Sequence, residues 1–283
     1  MAIQADGKIV VVGQAITDRD NGLADMAIAR YNRNGLLDLS FDGDGRVTAD
    51  FDESDEARAV AVTFDGKIVV AGLASRFISL GELAGDFVVL RYRSDGSLDA
   101  TFGIGGTVRT DLTGQFEVPS SVLIQRDGRI VVAGSVEGEK LKTFADVAIV
   151  RYDQNGSLDS SFGSGGVVVS DLSGIDTVAA AALQIDGKIV VASTSGTAGG
   201  LYTVSRFNTD GSSDRTFGTN GVAQADFATP DNDPIDELHA VAIEGDGKIV
   251  TAGFTFNFRT DGDINFGLIR FKASGPPAPP VPR

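Results

Sequence analysis

One short phrase recurs along the chain at a nearly constant interval, and this repetition constrains the fold more than any other feature. The phrase Asp-Gly-Lys/Arg-Ile-Val-Val/Thr begins at five positions: Asp6, Asp65, Asp127, Asp186 and Asp246. Successive starts are 59, 62, 59 and 60 residues apart. Because glycine accepts the positive φ of a tight turn, Asp-Gly between apolar segments is typical of a β-hairpin. The sequence therefore predicts five copies of one hairpin-containing unit.

A second phrase fixes the length of each copy. An arginine followed by Tyr or Phe occurs at Arg30, Arg91, Arg151, Arg206 and Arg270. Four of these copies continue into an Asn-Gly or Asp-Gly turn, then an Asp, and then a Phe three residues later. These aspartates are Asp38, Asp99, Asp159 and Asp214, and the phenylalanines are Phe41, Phe102, Phe162 and Phe217.

Each copy divides into four β segments, here named a to d. In the second copy they are predicted over 57–64, 67–73, 86–92 and 106–112. Four-stranded units repeated at this interval are typical of propeller blades, whereas a parallel β-helix has shorter turns and lacks tight antiparallel hairpins. We expect an all-β propeller domain over 1–274, with blades at about 1–51, 52–112, 113–172, 173–227 and 228–274.

The two ends of the repeat are expected to be incomplete. The chain begins inside segment a of its first blade, and the fifth blade stops after segment c. Residues 275–283 hold five of the eight prolines, which favours an extended tail or linker. A five-bladed ring with an incomplete last blade and an excerpt from a longer array are both compatible with this pattern.

Composition narrows the class of protein and of partner. The 283 residues include no cysteine, so neither disulfides nor thiolate metal sites are available. A net charge of −15 disfavours binding to nucleic-acid phosphates. No apolar run is long enough for a membrane span, and no signal peptide is visible. We expect a monomer.

The phrases DGKIVVAG and RY-x-x-(D/N)G-S-L-D-x-x-FG-x-x-G resemble the delta-60 repeat, a β-propeller family of bacterial surface and secreted proteins. The resemblance covers Ala2 to about Ser274. It implies a propeller, an extracellular or cell-surface setting and no defined chemistry. The fourth copy departs from it, with Leu201 where three others carry Asp and Phe207 in place of Tyr.

Alternation of antiparallel strands gives every blade two different ends. The a–b and c–d connections, which carry the repeated phrases, form what we call the turn end. The b–c and d–a connections form the other end, which we call the acidic end. The b–c connections are predicted as variable loops at 14–24, 74–85, 135–145, 193–200 and 255–262. Since loops on a rigid scaffold can diversify, we expect ligand binding at the acidic end.

Near the start of segment a, the aligned residues differ between blades. They are Arg58, Ser120, Ala179 and His239. The predicted ligand-binding residues are Glu56, Arg58, Ser120, Glu237 and His239. Drifted loop ends exposed to solvent are the alternative explanation of this variability.

Paired carboxylates are expected at the acidic end, where segment d finishes beside the start of segment c. The residues concerned are Asp25, Asp50, Asp86, Asp111, Asp146 and Asp171. Adjacent carboxylates repel, so one interpretation is a calcium ion in each blade. The other is that each Asp accepts backbone N–H bonds as a loop cap. No other cofactor is predicted.

Catalytic patterns are weak. The turn containing Asp153, Asn155 and Gly156 lacks the ligand spacing of an EF-hand loop. A nucleophilic triad would require His239, Ser120 and a carboxylate such as Asp236. Glu237 is a further catalytic candidate. The sequence therefore favours a non-enzymatic interaction module that binds a protein or carbohydrate ligand. The alternative is a hydrolase or lyase that uses carboxylates near the axial opening.

Overall fold

The computed structural model describes residues 1–18, 22–51, 54–79, 82–113, 116–137, 145–172, 174–196, 200–227, 235–256 and 264–273. These residues form β-strands, turns and bends, without a helix among them. The predicted tail at 275–283 lies outside this part of the chain. No helix in the described ranges could therefore cross a membrane.

The strands form five sheets, each from consecutive segments of the chain. Blade 1 contains β1 (Ala2–Ile3), β2 (Ile9–Asp18), β3 (Leu23–Tyr31) and β4 (Arg46–Ala49). Blade 2 contains β5 (Asp55–Val62), β6 (Ile68–Ser79), β7 (Glu82–Tyr92) and β8 (Thr107–Thr110). Blade 3 contains β9 (Glu117–Ile124), β10 (Ile130–Glu137), β11 (Ala145–Tyr152) and β12 (Val167–Ser170).

The remaining two sheets continue the pattern. Blade 4 contains β13 (Ile175–Leu183), β14 (Ile189–Gly196), β15 (Leu201–Phe207) and β16 (Val222–Ala225). Blade 5 contains β17 (Ile235–Ile243), β18 (Ile249–Phe256) and β19 (Ile264–Phe271). Strand order within each sheet follows chain order. The prediction of five four-stranded blades, with a short first strand and a three-stranded last sheet, is confirmed.

Hairpin geometry explains why the Asp-Gly phrase repeats. Gly66, between β5 and β6, has φ of +84°, and its N–H donates to the carbonyl of Thr63. The Asp65 carboxylate also accepts a hydrogen bond from the Thr63 hydroxyl. A residue with a Cβ would be strained at this φ, so glycine is required at the turn.

The b–c connections differ from the prediction. Residues 74–85 were expected to form a loop, but β6 runs to Ser79 and β7 starts at Glu82. Blade 1 behaves similarly, since β2 ends at Asp18 and β3 begins at Leu23. Backbone pairing continues beyond the apolar part of each strand because the hydrogen-bond ladder does not depend on apolar side chains. The extended hairpin of blade 2 carries Arg76 opposite Ala84.

Contacts divide the chain into two compact units. The first comprises Met1–Val132 and Arg151–Asp159, and the second Ala133–Val150 and Ser160–Arg283. In the first unit, Met26, Ile28, Val70 and Leu90 belong to one buried cluster. In the second, the corresponding cluster includes Tyr202, Val204, Phe217, Ile249 and Phe271. The sequence-based division into one domain over 1–274 stays a prediction.

Candidate functional site

The repeated polar residues at the turn end form a network with structural partners. Arg30 Nε donates to Asp38 Oδ2 at 2.7 Å, and Lys8 Nζ lies 2.9 Å from the same oxygen. The Arg30 guanidinium also lies over the Phe41 ring, 4.6 Å from its centroid. Burial alone would raise the pKa of Asp38, but hydrogen bonds from Lys8 and Ser40 and the charge of Arg30 hold it well below its usual range.

The same arginines connect neighbouring blades within each unit. Arg30 Nη1 donates to the main-chain carbonyl of Ser94 at 2.5 Å. Arg91 reaches the carbonyl of Gln154 in the same way, and Arg206 reaches that of Ala273 at 2.6 Å. A neutralised buried arginine that also satisfies a carbonyl stabilises the packing of one blade on the next. The turn end is therefore the structural end of the repeat.

Three carboxylates meet at the acidic end of blade 1. We call Asp25, Asp50 and Asp55 triad 1; each offers an oxygen within 4.8 Å of the other two. Asp25 lies near the start of β3, Asp50 follows β4, and Asp55 is the first residue of β5 in the next blade. Asp25 and Asp55 are buried, whereas Asp50 is exposed. Phe51 N donates to Asp55 Oδ2 at 2.6 Å.

Blade 3 repeats this arrangement in the second unit. We call Asp146, Asp171 and Asp176 triad 3; their oxygens also lie within 4.8 Å of one another. Asp176, in β13, is fully buried, and its Oδ2 accepts the N–H of Leu172 at 2.7 Å. Asp171 is exposed. The spacing within both triads fits oxygen ligands around one cation.

Blade 2 has the same three acidic positions but adds two arginines. Asp86 Oδ2 lies 2.5 Å from Arg109 Nε and 3.2 Å from Arg76 Nε. Arg76 Nη2 lies 2.9 Å from Asp111 Oδ2. Glu117, the third acid, accepts the N–H groups of Leu112 and Thr113 at 2.6 and 2.7 Å. In this blade a fixed positive charge lies among the carboxylates.

Crowding and burial alter the acidity of these groups. Burial, together with the charges of Asp50 and Asp25, raises the pKa of Asp55 to about 6, although the N–H groups of Phe51 and Ser75 oppose the shift. Burial also raises the pKa of Asp176 and Asp146, and the charge of Asp171 adds to both shifts. These carboxylates are therefore costly to keep charged without a nearby cation.

The predicted variable residues lie at a repeated backbone irregularity. Strand pairing shifts register between Ala57 and Ala59, between Val178 and Ala180, and between Leu238 and Ala240. The skipped residues are Arg58, Ala179 and His239. A bulge leaves its extra residue unpaired and re-aims the side chain. The backbone feature thus repeats while its side chain changes from blade to blade.

The structure places the predicted ligand-binding residues in two groups. Glu56, Arg58 and Ser120 belong to the first unit, and Arg58 Nη2 lies 2.8 Å from Glu56 Oε2. Glu237 and His239 belong to the second, with 3.6 Å between His239 Nε2 and Glu237 Oε1. The His239 ring also lies 5.3 Å from the ring of Phe254. Their binding role stays a prediction.

The weak catalytic candidates are not gathered within either unit. Ser120 lies in the first unit, whereas Asp236, Glu237 and His239 lie in the second. Asp236 is fully buried and accepts the N–H of Phe227 at 3.1 Å. This contact gives Asp236 the same loop-closing position that Asp55 and Asp176 have in their blades.

Sequence reasoning missed the third member of each triad. Asp55, Glu117, Asp176 and Asp236 all stand ten residues before the Asp of the following Asp-Gly turn. This regular acid could have been found by aligning the copies. The roles of Arg76 and Arg109 were also missed because they belong to one blade alone and do not repeat.

Solved structures of low sequence identity are similar to this chain. The chain is similar to a protein of unknown function from Dyadobacter fermentans, with TM-score 0.54, 11% identity, and coverage of 93% of this chain and 80% of that one. A protein of unknown function from Bacteroides caccae has TM-score 0.44, 10% identity, and coverage of 91% and 77%. A streptogramin B lyase has TM-score 0.44 and 12% identity, with coverage of 93% of this chain and 70% of that one. At these identities the similarity concerns the fold alone.

Sequence comparison gives the family. No curated protein matches the sequence. The model of the domain of unknown function DUF5122 β-propeller matches residues 4–41, 65–102, 125–162 and 184–217, which together exceed half of the chain. Each match ends at a repeated position, Phe41, Phe102, Phe162 or Phe217, in agreement with the predicted repeat. The chain therefore belongs to the DUF5122 β-propeller family.

Proposed function

We propose that this chain is a non-enzymatic interaction module of a bacterial cell-surface or secreted protein and that it binds a basic protein partner at the acidic ends of its blades. One observation carries the proposal: a β-bulge recurs at the same place in three blades, but its residue is Arg58, Ala179 or His239. A fixed backbone with changing side chains suits recognition, because residues can vary without disturbing the scaffold.

The charge of the surrounding residues favours a basic partner. Glu56 and Glu237 lie two residues before Arg58 and His239, and their side chains are 37% and 51% exposed. Asp50, Asp111 and Asp171 add further exposed carboxylates at the acidic ends. With a net charge of −15, the protein would attract a cationic partner over a range set by ionic strength.

The test is binding of a fluorescent lysine decapeptide, measured by anisotropy at physiological ionic strength. The variant E56Q/E237Q removes two charges at the acidic ends, and D65N/D246N removes two at the turn ends. All four side chains are at least one-third exposed. We expect several-fold weaker binding for E56Q/E237Q and little change for D65N/D246N. Equal losses would mean unspecific charge attraction and would contradict a defined binding surface.

Catalysis is tested separately with ester, glycoside and polyuronate substrates. We expect no turnover, because Asp236 is buried and engaged with the Phe227 N–H. Turnover that is lost in D236N, E237Q or H239A would instead support the hydrolase or lyase alternative. The cell-surface setting rests on the family resemblance. Protease accessibility of the protein on intact cells of the producing bacterium tests it.

A further inference from the structure

We propose that triad 1 and triad 3 each bind one divalent cation of the calcium class, and that the guanidinium groups of Arg76 and Arg109 take the place of such a cation in blade 2. This inference goes beyond the proposed partner binding and does not depend on it. It concerns Asp25, Asp50 and Asp55 in the first unit and Asp146, Asp171 and Asp176 in the second.

The spacing of the oxygens fits a cation of this size. Calcium binds oxygens at about 2.3–2.6 Å, so two ligands on opposite sides of the ion are about 5 Å apart. Within each triad the offered oxygens all lie within 4.8 Å of one another. Three carboxylates can therefore contact one ion with little movement, and water would complete its shell through the exposed side of Asp50 or Asp171.

A buried oxygen in each triad points to a ligand. Asp55 is 1% exposed and Asp176 is 0% exposed. The Oδ1 atoms of both residues are buried and make no hydrogen bond with any described residue. Their Oδ2 atoms are held by the N–H groups of Phe51 and Leu172. Glu117 Oε2 and Asp236 Oδ1 are unsatisfied in the same way. In triads 1 and 3 two further carboxylates lie beside this oxygen, and because an unsatisfied buried carboxylate oxygen is costly, a cation shared by the three acids would satisfy it.

Blade 2 supplies an internal comparison. Its three acids, Asp86, Asp111 and Glu117, stand at the triad positions, and Arg76 contacts the first two directly. The hydrogen bond to Asp86 is the largest cause of the raised pKa of Arg76, and the charges of Asp86, Asp111 and Glu117 add to it. Blade 2 thus places its own positive group among these acids. A bound cation would have the same role in triads 1 and 3.

Strand register shows that the arginines are specific to blade 2. Arg109 pairs with Val88 in β7, and the residues in the matching positions of β4 and β12 are Thr48 and Val169. Arg76 stands eleven residues after Asp65, as Thr17 does after Asp6. Neither Thr nor Val can neutralise a carboxylate. Among the described residues, triads 1 and 3 therefore lack the two arginines that blade 2 places beside its acids.

Ligand chemistry limits the class of metal. The triads contain carboxylates alone, which suits hard cations such as Ca²⁺ and disfavours Zn²⁺ and Cu²⁺. Mg²⁺ requires tighter, near-octahedral geometry and retains more water. Blades 4 and 5 have Leu201 and Asn265 at the position of Asp25, so three blades carry all three acids, and one of these is blade 2 with its two arginines. We therefore expect two calcium ions per chain.

The experiment is equilibrium dialysis of the full chain, stripped with chelator, against radioactive calcium at up to millimolar concentration. We expect two ions per chain at saturation, one in D55N, one in D176N and none in D55N/D176N. The matched control is E117Q, which alters the equivalent acid of blade 2 and should retain two. Thermal unfolding of every variant, with and without calcium, verifies folding and should show a calcium-dependent rise that tracks the number of ions.

Gain of a third calcium site in blade 2 would distinguish binding by the triads from unspecific attraction of calcium to an acidic protein. R76T/R109T gives blade 2 the residues of blade 1, Thr17 and Thr48, and should raise the number of bound ions from two to three. A flat titration of the unmodified chain at millimolar calcium would overturn the inference. So would two ions bound to D55N/D176N, because the binding would then lie elsewhere. If the unmodified chain and R76T/R109T both bind two ions, the two cation sites stand. The inferred role of Arg76 and Arg109 in blade 2 is then overturned.

Discussion

Arg109 Nε lies 2.5 Å from Asp86 Oδ2, so one strand of blade 2 provides the positive charge that the acids of its neighbouring strand require. Asp86 is 2% exposed, and its other cationic neighbour is Arg76. The two arginines approach from different strands, β8 and β6. The Asp86 carboxylate of this blade is therefore neutralised by the protein's own side chains.

The contribution of Arg109 can be measured with a double-mutant cycle. We expect R109T to lower the free energy of unfolding by about 1–3 kcal/mol, because a buried carboxylate loses a charged hydrogen-bond donor. R109T/D86N should recover part of this loss, because the buried charge is then removed as well. Urea unfolding in the presence of chelator provides the values. Losses that simply add in the double variant would contradict the coupling.

We expect the repeated arginine at the turn end to contribute more to the free energy of unfolding than Arg109 does. Arg91 pairs with buried Asp99 at 2.8 Å, lies 4.7 Å from the Phe102 ring centroid, and bonds the carbonyl of Gln154. R91A should lower the free energy of unfolding by about 3–5 kcal/mol, because it leaves the Asp99 charge without its closest partner. R93A is the control: its side chain is 50% exposed and 3.9 Å from Asp99. A comparable loss in R93A would contradict this assignment.

The raised pKa values of two buried carboxylates predict how the stability of the calcium-free protein depends on pH. Burial raises the pKa of Asp55 from 3.8 to about 6 and that of Glu117 from 4.5 to about 7. The folded state therefore holds more protons than the unfolded state between about pH 4 and 7, and stability falls as pH rises through this range. We expect the melting temperature in chelator to drop from about pH 5 to about pH 8.

The variant D55N/E117Q should reduce this dependence, because both groups lose their titration. E56Q, which changes a half-buried acid next to Asp55 in β5, should leave this dependence unchanged. Differential scanning calorimetry at a series of pH values tests both expectations. If the melting temperature of the unmodified protein rises steadily over the same pH range, Asp55 and Glu117 do not dominate the pH dependence of its stability.

Alanine substitution at two glycines isolates the effect of backbone strain, because neither site has an atom, in the described part of the chain, close enough to clash with an added Cβ. Gly66 has φ of +84°, and no atom of the described residues lies within 4 Å of the position that a Cβ would take, so G66A would suffer from backbone strain alone. We expect a loss of about 1–2 kcal/mol. Gly13, in β2, has the same open space but no positive φ, so G13A should be neutral or stabilising by about 0.4–1 kcal/mol. Chemical denaturation of both variants provides the comparison, and equal effects would contradict the requirement for glycine at the turn.

The extent of the b–c hairpins could not be derived from apolar alternation. The pattern ends near Leu73, but β6 continues to Ser79 because backbone pairing extends past the buried residues. The sequence did predict that Asp25 and Asp50 would be adjacent, because both lie near the end of the same sheet. It did not predict Asp55 as their neighbour, since that residue begins the sheet of the next blade.

The sequence alone established the five repeated units and their Asp-Gly hairpins, because both recur in register along the chain. The pairing of Arg30, Arg91, Arg151 and Arg206 with the Asp eight residues later also lies within one copy. Tertiary structure decided the rest. Triads 1 and 3 join acids from two consecutive blades, and the guanidinium groups of Arg76 and Arg109 meet Asp86 from two strands. Packing of one blade on the next sets the triad distances, and pairing of β6, β7 and β8 within one sheet brings the arginines to Asp86. No periodicity along a single strand encodes either arrangement.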